Sequence, residues 1–173
     1  MVVRNVCMTL REFQNTDAET IIRWIRSERE FREWCADRYD HYPIDAADIV
    51  SNYGNCGRRG GFFPLTAVDD NNVPVGHLIL RFTDTEKTTV RFGFVIIDSS
   101  RRSEGLGKKM LGLAREYAVN KLGAETLTLG VFESNQPALN CYTAAGFRKA
   151  GGTDVFEAFG EKWRVIEMFL RVR

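Results

Sequence analysis

The sequence predicts an α/β (α+β) fold, a central mixed, mostly antiparallel twisted sheet with helices on both faces. Three observations carry that prediction. In residues 73–82, Leu78, Leu80 and Phe82 alternate with His77, Ile79 and Arg81, the pattern of a half-buried antiparallel strand. Polar turn clusters at residues 69–72 and 84–87 bound it on both sides. Beyond them, residues 89–132 read as strand, helix and strand, a unit that requires one right-handed parallel crossover.

The remaining elements follow in order. Residues 7–13 read as a first strand, with Met8, Leu10 and Phe13 as core contacts. Thr16-x-x-Glu19 has the form of a capping box, so a helix is expected from residue 17 to about 26, with Ile21, Ile22, Trp24 and Ile25 mostly inward. Residues 27–42 are rich in charges and aromatics, among them Phe31, Trp34, Tyr39, His41 and Tyr42. Pro43 precedes a second helix, residue 45 to about 53, ending at Gly54. Residues 55–61 hold three glycines and two arginines and read as an exposed loop. Residues 63–68 form a strand ahead of the first polar turn. In residues 89–97 the last four, Phe94 to Ile97, are apolar on both faces, so that end should be covered from both sides.

Leu106, Met110, Leu113, Ala114 and Tyr117 form one stripe of a long helix over residues 106–122, with Leu111, Ala118 and Leu122 alongside. Gly123 ends it. Leu127, Leu129 and Val131 share one face of the strand that follows. Asn135 or Gln136 caps a further helix, Pro137 fits its first turn, and Gly146 suits the left-handed position after its end. Two strands close the chain, about residues 147–149 extending into 154–159, then 163–172 with Ile166, Met168, Leu170 and Val172 on one face. The expected order is β-α-α-β-β-β-α-β-α-β-β, without internal repeat or linker.

Composition narrows the function classes. The chain has 173 residues, 44% of them apolar, the size of a single domain over residues 1–173. A net charge of +1 gives no general attraction to nucleic acid or to an anionic membrane, so the expectation is neither partner. A nucleic-acid binder using Arg58, Arg59, Arg101 and Arg102 is disfavoured on the same ground. Met1 to Asn5 lacks the apolar core of a signal peptide, and no stretch approaches a membrane span. Cys7, Cys35, Cys56 and Cys141 are widely spaced, and only two histidines are present, so neither a disulfide framework nor a metal site is expected. The expected setting is a reduced, cytoplasmic one.

The chain is organised around Arg101-Arg102-Ser103-Glu104-Gly105-Leu106-Gly107-Lys108-Lys109, between an apolar strand and the long helix. A Gly-rich turn opening a helix presents backbone N–H groups without helical partners, and the helix dipole adds partial positive charge. That combination suits a pyrophosphate. The competing reading is a tight turn with solvated basic residues. Neither dinucleotide-fold nor P-loop glycine spacing is present.

Two motifs carry a family resemblance. Arg102-Ser103-Glu104-Gly105-Leu106-Gly107 resembles the Gln/Arg-x-x-Gly-x-Gly/Ala motif of the GNAT acyltransferases, which grip the pyrophosphate of acetyl-CoA. Asn135 to Phe147, NQPALNCYTAAGF, resembles the family's Asn-x-x-Ala-x-x-x-Tyr-x-x-x-Gly-Phe, in the right order and on the expected elements. The aromatic-rich N-terminal half resembles the branch acetylating ribosomal-protein N-termini, polyamines and other small amines. The resemblance implies acetyl-CoA as cosubstrate, no metal, and a small-molecule or peptide amine as acceptor. It implies that backbone groups of Val95, Ile96 and Ile97 pair with the pantetheine arm and that N–H groups of Arg102, Ser103, Glu104, Gly105, Leu106, Gly107 and Lys108 cradle the pyrophosphate. Asn135 would bind pantetheine or cap its helix, or both, and Tyr142 would point at the thioester sulfur.

Acyl transfer from a thioester to an amine requires loss of the amine proton, stabilisation of an oxyanion and protonation of the leaving thiolate. Tyr142 can serve the last step, and a backbone N–H near Val95–Ile97 the second. Direct transfer in a ternary complex leaves Cys141 without a nucleophilic role. Members of the family with a strand-four glutamate carry it near Arg91, and arginine cannot act as a base. Glu133, Asp98, His77 or a water chain remain candidates. The missing carboxylate motivates an alternative, a non-catalytic acyl-CoA-binding or sensing module. An exposed strand could pair two copies into a homodimer.

Overall fold

The structure is a computed structural model and describes residues 7–173. Met1 to Asn5, read above for a leader sequence, lie outside the described residues. The elements are β1 (Thr9–Glu12), α1 (Asp17–Arg23), α2 (Glu28–Cys35), α3 (Ala46–Gly57), β2 (Phe62–Val68), β3 (Pro74–Phe82), β4 (Thr89–Ile97), α4 (Leu106–Leu122), β5 (Thr126–Phe132), α5 (Gln136–Ala144), β6 (Arg148–Ala158) and β7 (Glu161–Arg171). A 3-10 turn, Ser99–Arg101, joins β4 to the Gly-rich stretch.

The seven strands among the described residues form one sheet in the order β1-β2-β3-β4-β5-β7-β6. Every neighbouring pair is antiparallel except β4 with β5, the crossover spanned by α4. The two faces bury different parts of the chain. On one, Leu78, Leu80 and Phe92 pack with Met110, Leu111 and Ala114 of α4 and with Leu139 and Tyr142 of α5. On the other, Ile79 and Ile96 pack with Ile21 of α1, Phe31 and Trp34 of α2, and Ile49 and Tyr53 of α3.

β3 therefore departs from the half-buried expectation. Helices cover both its faces, and His77, Leu78, Ile79 and Leu80 are all at most 3% exposed. His77 is accommodated by a 2.7 Å hydrogen bond between its Nε2 and the Tyr53 hydroxyl. The alternation was real, but the face carrying His77 is the floor of the second core.

Three local differences have physical causes. α2 adds a helix to the expected order, capped by Ser27, whose Oγ accepts from the Glu30 N–H at 3.2 Å. Thr16 makes no capping bond. Its neighbour Asp17 is buried, accepting from the Gln14 N–H, from Arg11 and from Thr66, which ties α1 to the sheet. α3 runs on through Gly57, past the expected stop at Gly54. Its start is a true capping box, with reciprocal bonds between Asp45 and Asp48.

Candidate active site

The site arises where the central ladder fails. β4 and β5 pair only from Thr89 with Thr126 to Arg91 with Thr128, then separate. β4 remains attached to β3 on its other side, through Gly76 opposite Ile97 and His77 opposite Ile96. A bulge at Phe94, φ 48°, marks the register shift there. Beyond Arg91, the β4 edge facing β5 has no strand partner.

A cleft of about 760 Å³ opens along this edge, lined by Val95, Ile96 and Ile97, by most of residues 101–108, and by Asn135, Cys141 and Tyr142 of the second motif. Residues 94–97 are expected to be covered from both sides, and Ile96 is buried; Val95 and Ile97 are half-buried on this cleft, and Phe94 is half-buried on the opposite side of the splay.

The turn into α4 is built for exposed N–H groups. Ser103 and Gly105 have φ of 70° and 78°, left-handed values that turn successive amides to one side. Lys109 is the first residue of the helix to donate back, to the Gly105 carbonyl at 3.2 Å. Among the described residues, none accepts from the backbone N–H groups of residues 102–108. The two glycines act differently. A Cβ at Gly105 would meet open space, so its φ is the constraint; a Cβ at Gly107 would lie 3.0 Å from Cys141 Sγ, so closeness of α4 to α5 is the constraint.

The side chains of this turn are already engaged. Arg101 pairs with Glu104 at 3.2 Å and with Asp69 at 3.4 Å. Arg102 pairs with Glu30 of α2 at 3.1 Å. Glu104 is the one predicted cofactor contact that does not line the cleft.

Asn135 caps α5, its Oδ1 accepting from the Ala138 N–H at 3.2 Å, and also borders the cleft. Tyr142 is buried among core residues on one side and reaches the cleft on the other. Burial, with Cys141 adding to it, drives its phenol pKa well up, so it is a protonated donor at neutral pH. Burial likewise raises the Cys141 thiol, which keeps it from being a thiolate nucleophile.

On the opposite side of the splay lies a second cleft of about 660 Å³. The two clefts share Glu33, Trp34, Gly130 and Val131, so they meet in the gap between β4 and β5. Trp34 is a wall of both and its buried indole N–H has no partner among the described residues. Arg91 and Glu167 lie in the second cleft, joined through two hydrogen bonds of 2.6 and 2.8 Å.

None of the three carboxylate and imidazole candidates for the base lines either cleft. Asp98 caps the 3-10 turn, accepting from the Ser100 N–H and hydroxyl. Glu133 is exposed, 3.8 Å from Arg164. His77 is wholly buried and its pKa is pushed down to about 3 by burial. The residue that does stand at the junction is Glu33. Burial raises its pKa above the usual glutamate value, with Glu30 adding to it against Arg29 and Arg102. Sequence reasoning missed it because it missed α2. The signal was Ser27-x-x-Glu30, a capping pattern, followed by Phe31, Trp34 and Cys35 at helical spacing.

Among the described residues, no group of three or more His, Cys, Asp and Glu side chains is gathered as for a metal ion, and no helix is long and apolar enough to cross a membrane.

An open, mostly antiparallel sheet splayed beside a helix-opening N–H cradle defines a class of α/β folds with a cleft ready for an anion. The acetyltransferase (GNAT) family model matches residues 19–147, and the chain belongs to that family. A curated N-acetyltransferase 9-like protein from Nematostella vectensis is 30% identical over 83 residues, covering 47% of this chain and 42% of that protein, so the match spans less than half of the relative's length. A solved spermidine N-acetyltransferase from Vibrio cholerae, in complex with CoA and spermine, superposes with a TM-score of 0.81 at 18% identity, covering 95% of each chain. A dodecameric structure of spermidine N-acetyltransferase from the same organism gives 0.74 at 18% identity, covering 95% of this chain and 93% of that one. At these identities the likeness is one of fold.

Proposed function

We propose that this chain transfers an acetyl group from acetyl-CoA directly to a primary amine in a ternary complex. The observation that carries the reading is the meeting of two clefts in the β4–β5 gap. One has the geometry for the cosubstrate and the other is left for the acceptor, so the two reactants would approach from opposite sides of the sheet. The free N–H groups of residues 102–108 suit the pyrophosphate, and the unpaired edge at Val95–Ile97 offers amide partners to pantetheine. Asn135 borders the same path.

Glu33 is the base in this reading. It stands at the junction, and a raised pKa brings a carboxylate nearer the value useful for deprotonating an amine. A backbone N–H of the β4 edge polarises the thioester carbonyl, and Tyr142 delivers its phenolic proton to the departing thiolate. The acetyl group passes from sulfur to nitrogen with no covalent enzyme intermediate. The setting proposed is cytoplasmic. Pairing of copies is supported by β6, an edge strand with Val155 about half exposed, and by Phe159, equally exposed in the turn after it.

The test is thiol release from acetyl-CoA against polyamines, amino acids, aminoglycosides and N-terminal peptides. Turnover with one class is expected, and Tyr142→Phe should lower kcat by roughly 10²-fold while acetyl-CoA still binds. Tight acetyl-CoA binding with no turnover on any amine would instead favour a sensing module.

A further inference from the structure

The second cleft is distinguished by its arginines. Arg81 and Arg91 are directly opposite in the β3–β4 register and so project to the same face. Arg91 is neutralised by Glu167, both of whose oxygens are occupied by it. The Arg81 side chain is half-buried and makes no hydrogen bond or ion pair with any described residue. Arg38 and Arg59 border the same cleft from its exposed rim.

The cleft also contains four carboxylates, and none forms an ion pair with Arg81. Glu167 belongs to Arg91, and Asp37 lies 4.0 Å from Arg38. Asp154 is exposed, and Glu33 stands at the junction with the cosubstrate cleft. A guanidinium cannot give up its charge at neutral pH, and a partly desolvated one beside another arginine is costly without a counter-ion. Burial, then Arg91 and Arg38, pull the Arg81 pKa down, and the smaller opposing pull of Cys56 and Glu167 does not offset them.

We propose that Arg81 binds a carboxylate on the acceptor, so that the substrate is a primary amine that also bears a carboxylate. This rests on the reading of the second cleft as the acceptor site. The guanidinium fork matches a planar carboxylate bidentately. The amine end would then lie toward Glu33 and the anionic end toward Arg81, an orientation set by two opposite charges that line one cleft. A polyamine offers only cations and would leave Arg81 unneutralised.

The test separates binding from chemistry. Protein saturated with CoA, which cannot react, is titrated calorimetrically with matched pairs: 4-aminobutyrate against butylamine, glutamate against glutamine amide, and a Glu-rich peptide against its Gln counterpart. The carboxylate member of at least one pair should bind about tenfold or more tightly, the scale of a charge-assisted bond. In Arg81→Met that selectivity should collapse. The small-molecule and peptide pairs show which source of carboxylate the cleft takes. Because Met keeps the aliphatic volume and removes an uncompensated charge, the variant should melt at the wild-type temperature or above it. Equal binding within every pair, no binding by any member, tighter binding of spermidine, or selectivity that survives Arg81→Met would overturn the proposal. Acetyl transfer is followed separately by thiol release, so its loss would sink the transferase reading and leave this measurement standing.

Discussion

Arg91 of β4 and Glu167 of β7 grip each other across Gly130 of the intervening β5, two nitrogens on two oxygens at 2.6 and 2.8 Å. The strand between them supplies no side chain, and a Cβ at Gly130 would fall 2.7 Å from Arg91 Nη2 and 3.0 Å from Glu167 Oε1. The arginine of β4 thus draws a carboxylate into the cleft from two strands away.

Gly130→Ala should therefore displace the pair. Both side chains are about a quarter to a third exposed, so solvent screens the loss, and a cost of about 1 kcal/mol is expected. For a chain of this length that is a drop in Tm of about 2–4 °C. Glu167→Gln should give a similar drop without the steric term. An unchanged Tm in both variants would mean the pair contributes nothing measurable to stability.

Gly105 and Gly107 should fail differently. Gly105→Ala forces a side chain into a left-handed φ with no neighbour to relieve, costing about 1 kcal/mol and turning the adjacent amides out of line. Gly107→Ala presses on Cys141 Sγ, so Cys141→Ala should restore it, whereas the same second change should do nothing for Gly105→Ala. Acetyl-CoA affinity measured on the four variants decides. Equal rescue of both would mean that the turn geometry is not the constraint at Gly105.

The parts of this architecture legible in the sequence are those set by strong local punctuation. β4, α4 and β5 have the expected bounds because glycines at 105 and 123, both left-handed, fix where the helix starts and stops. α2 was hidden because its sequence, EREFREWC, offers few apolar positions and many charges. Its three buried residues, Phe31, Trp34 and Cys35, are stabilised by a core contributed by β4 and α3, which no local window contains. Glu33 and Arg81 were illegible as site residues for the same reason. Each is polar in an ordinary local setting, and only the separation of β4 from β5 brings them to one opening.

Glu33 should leave its mark on the pH profile. A base must be ionised to act, so the acid limb of kcat/KM is expected above the ordinary glutamate pKa of about 4.3, in the direction its burial dictates. Glu33→Gln should lower kcat/KM by roughly 10²-fold and abolish that limb. Glu133→Gln, at a residue that lines neither cleft, should keep the profile. An unchanged acid limb in Glu33→Gln would remove Glu33 from the mechanism.

His77 should govern stability in mild acid. Its ring is wholly buried, bonded to Tyr53 and stacked on it at 17°, and burial holds its pKa at about 3 in the folded chain. In the unfolded chain it takes up a proton below about pH 6.5. The unfolded state therefore binds more protons between these values, and stability is lost as pH falls, by up to about 1.4 kcal/mol per pH unit. Asp17 works in a lower window. Burial opposes its charge, but bonds from Arg11, the Gln14 N–H and Thr66 more than offset this, so its stabilisation is lost only as pH falls below about 4. Exposed His41, raised by its bond to Asp40, acts with opposite sign, contributing below its unfolded pKa and fading as pH rises. Urea melts at about pH 7.5 and about pH 5 read the two histidines together, and the variant of the His77 pair separates them. Replacing both partners, Tyr53→Phe with His77→Leu, leaves no orphaned polar group and should flatten the slope between those values. A slope that persists in the double variant would place the acid sensitivity elsewhere in the fold.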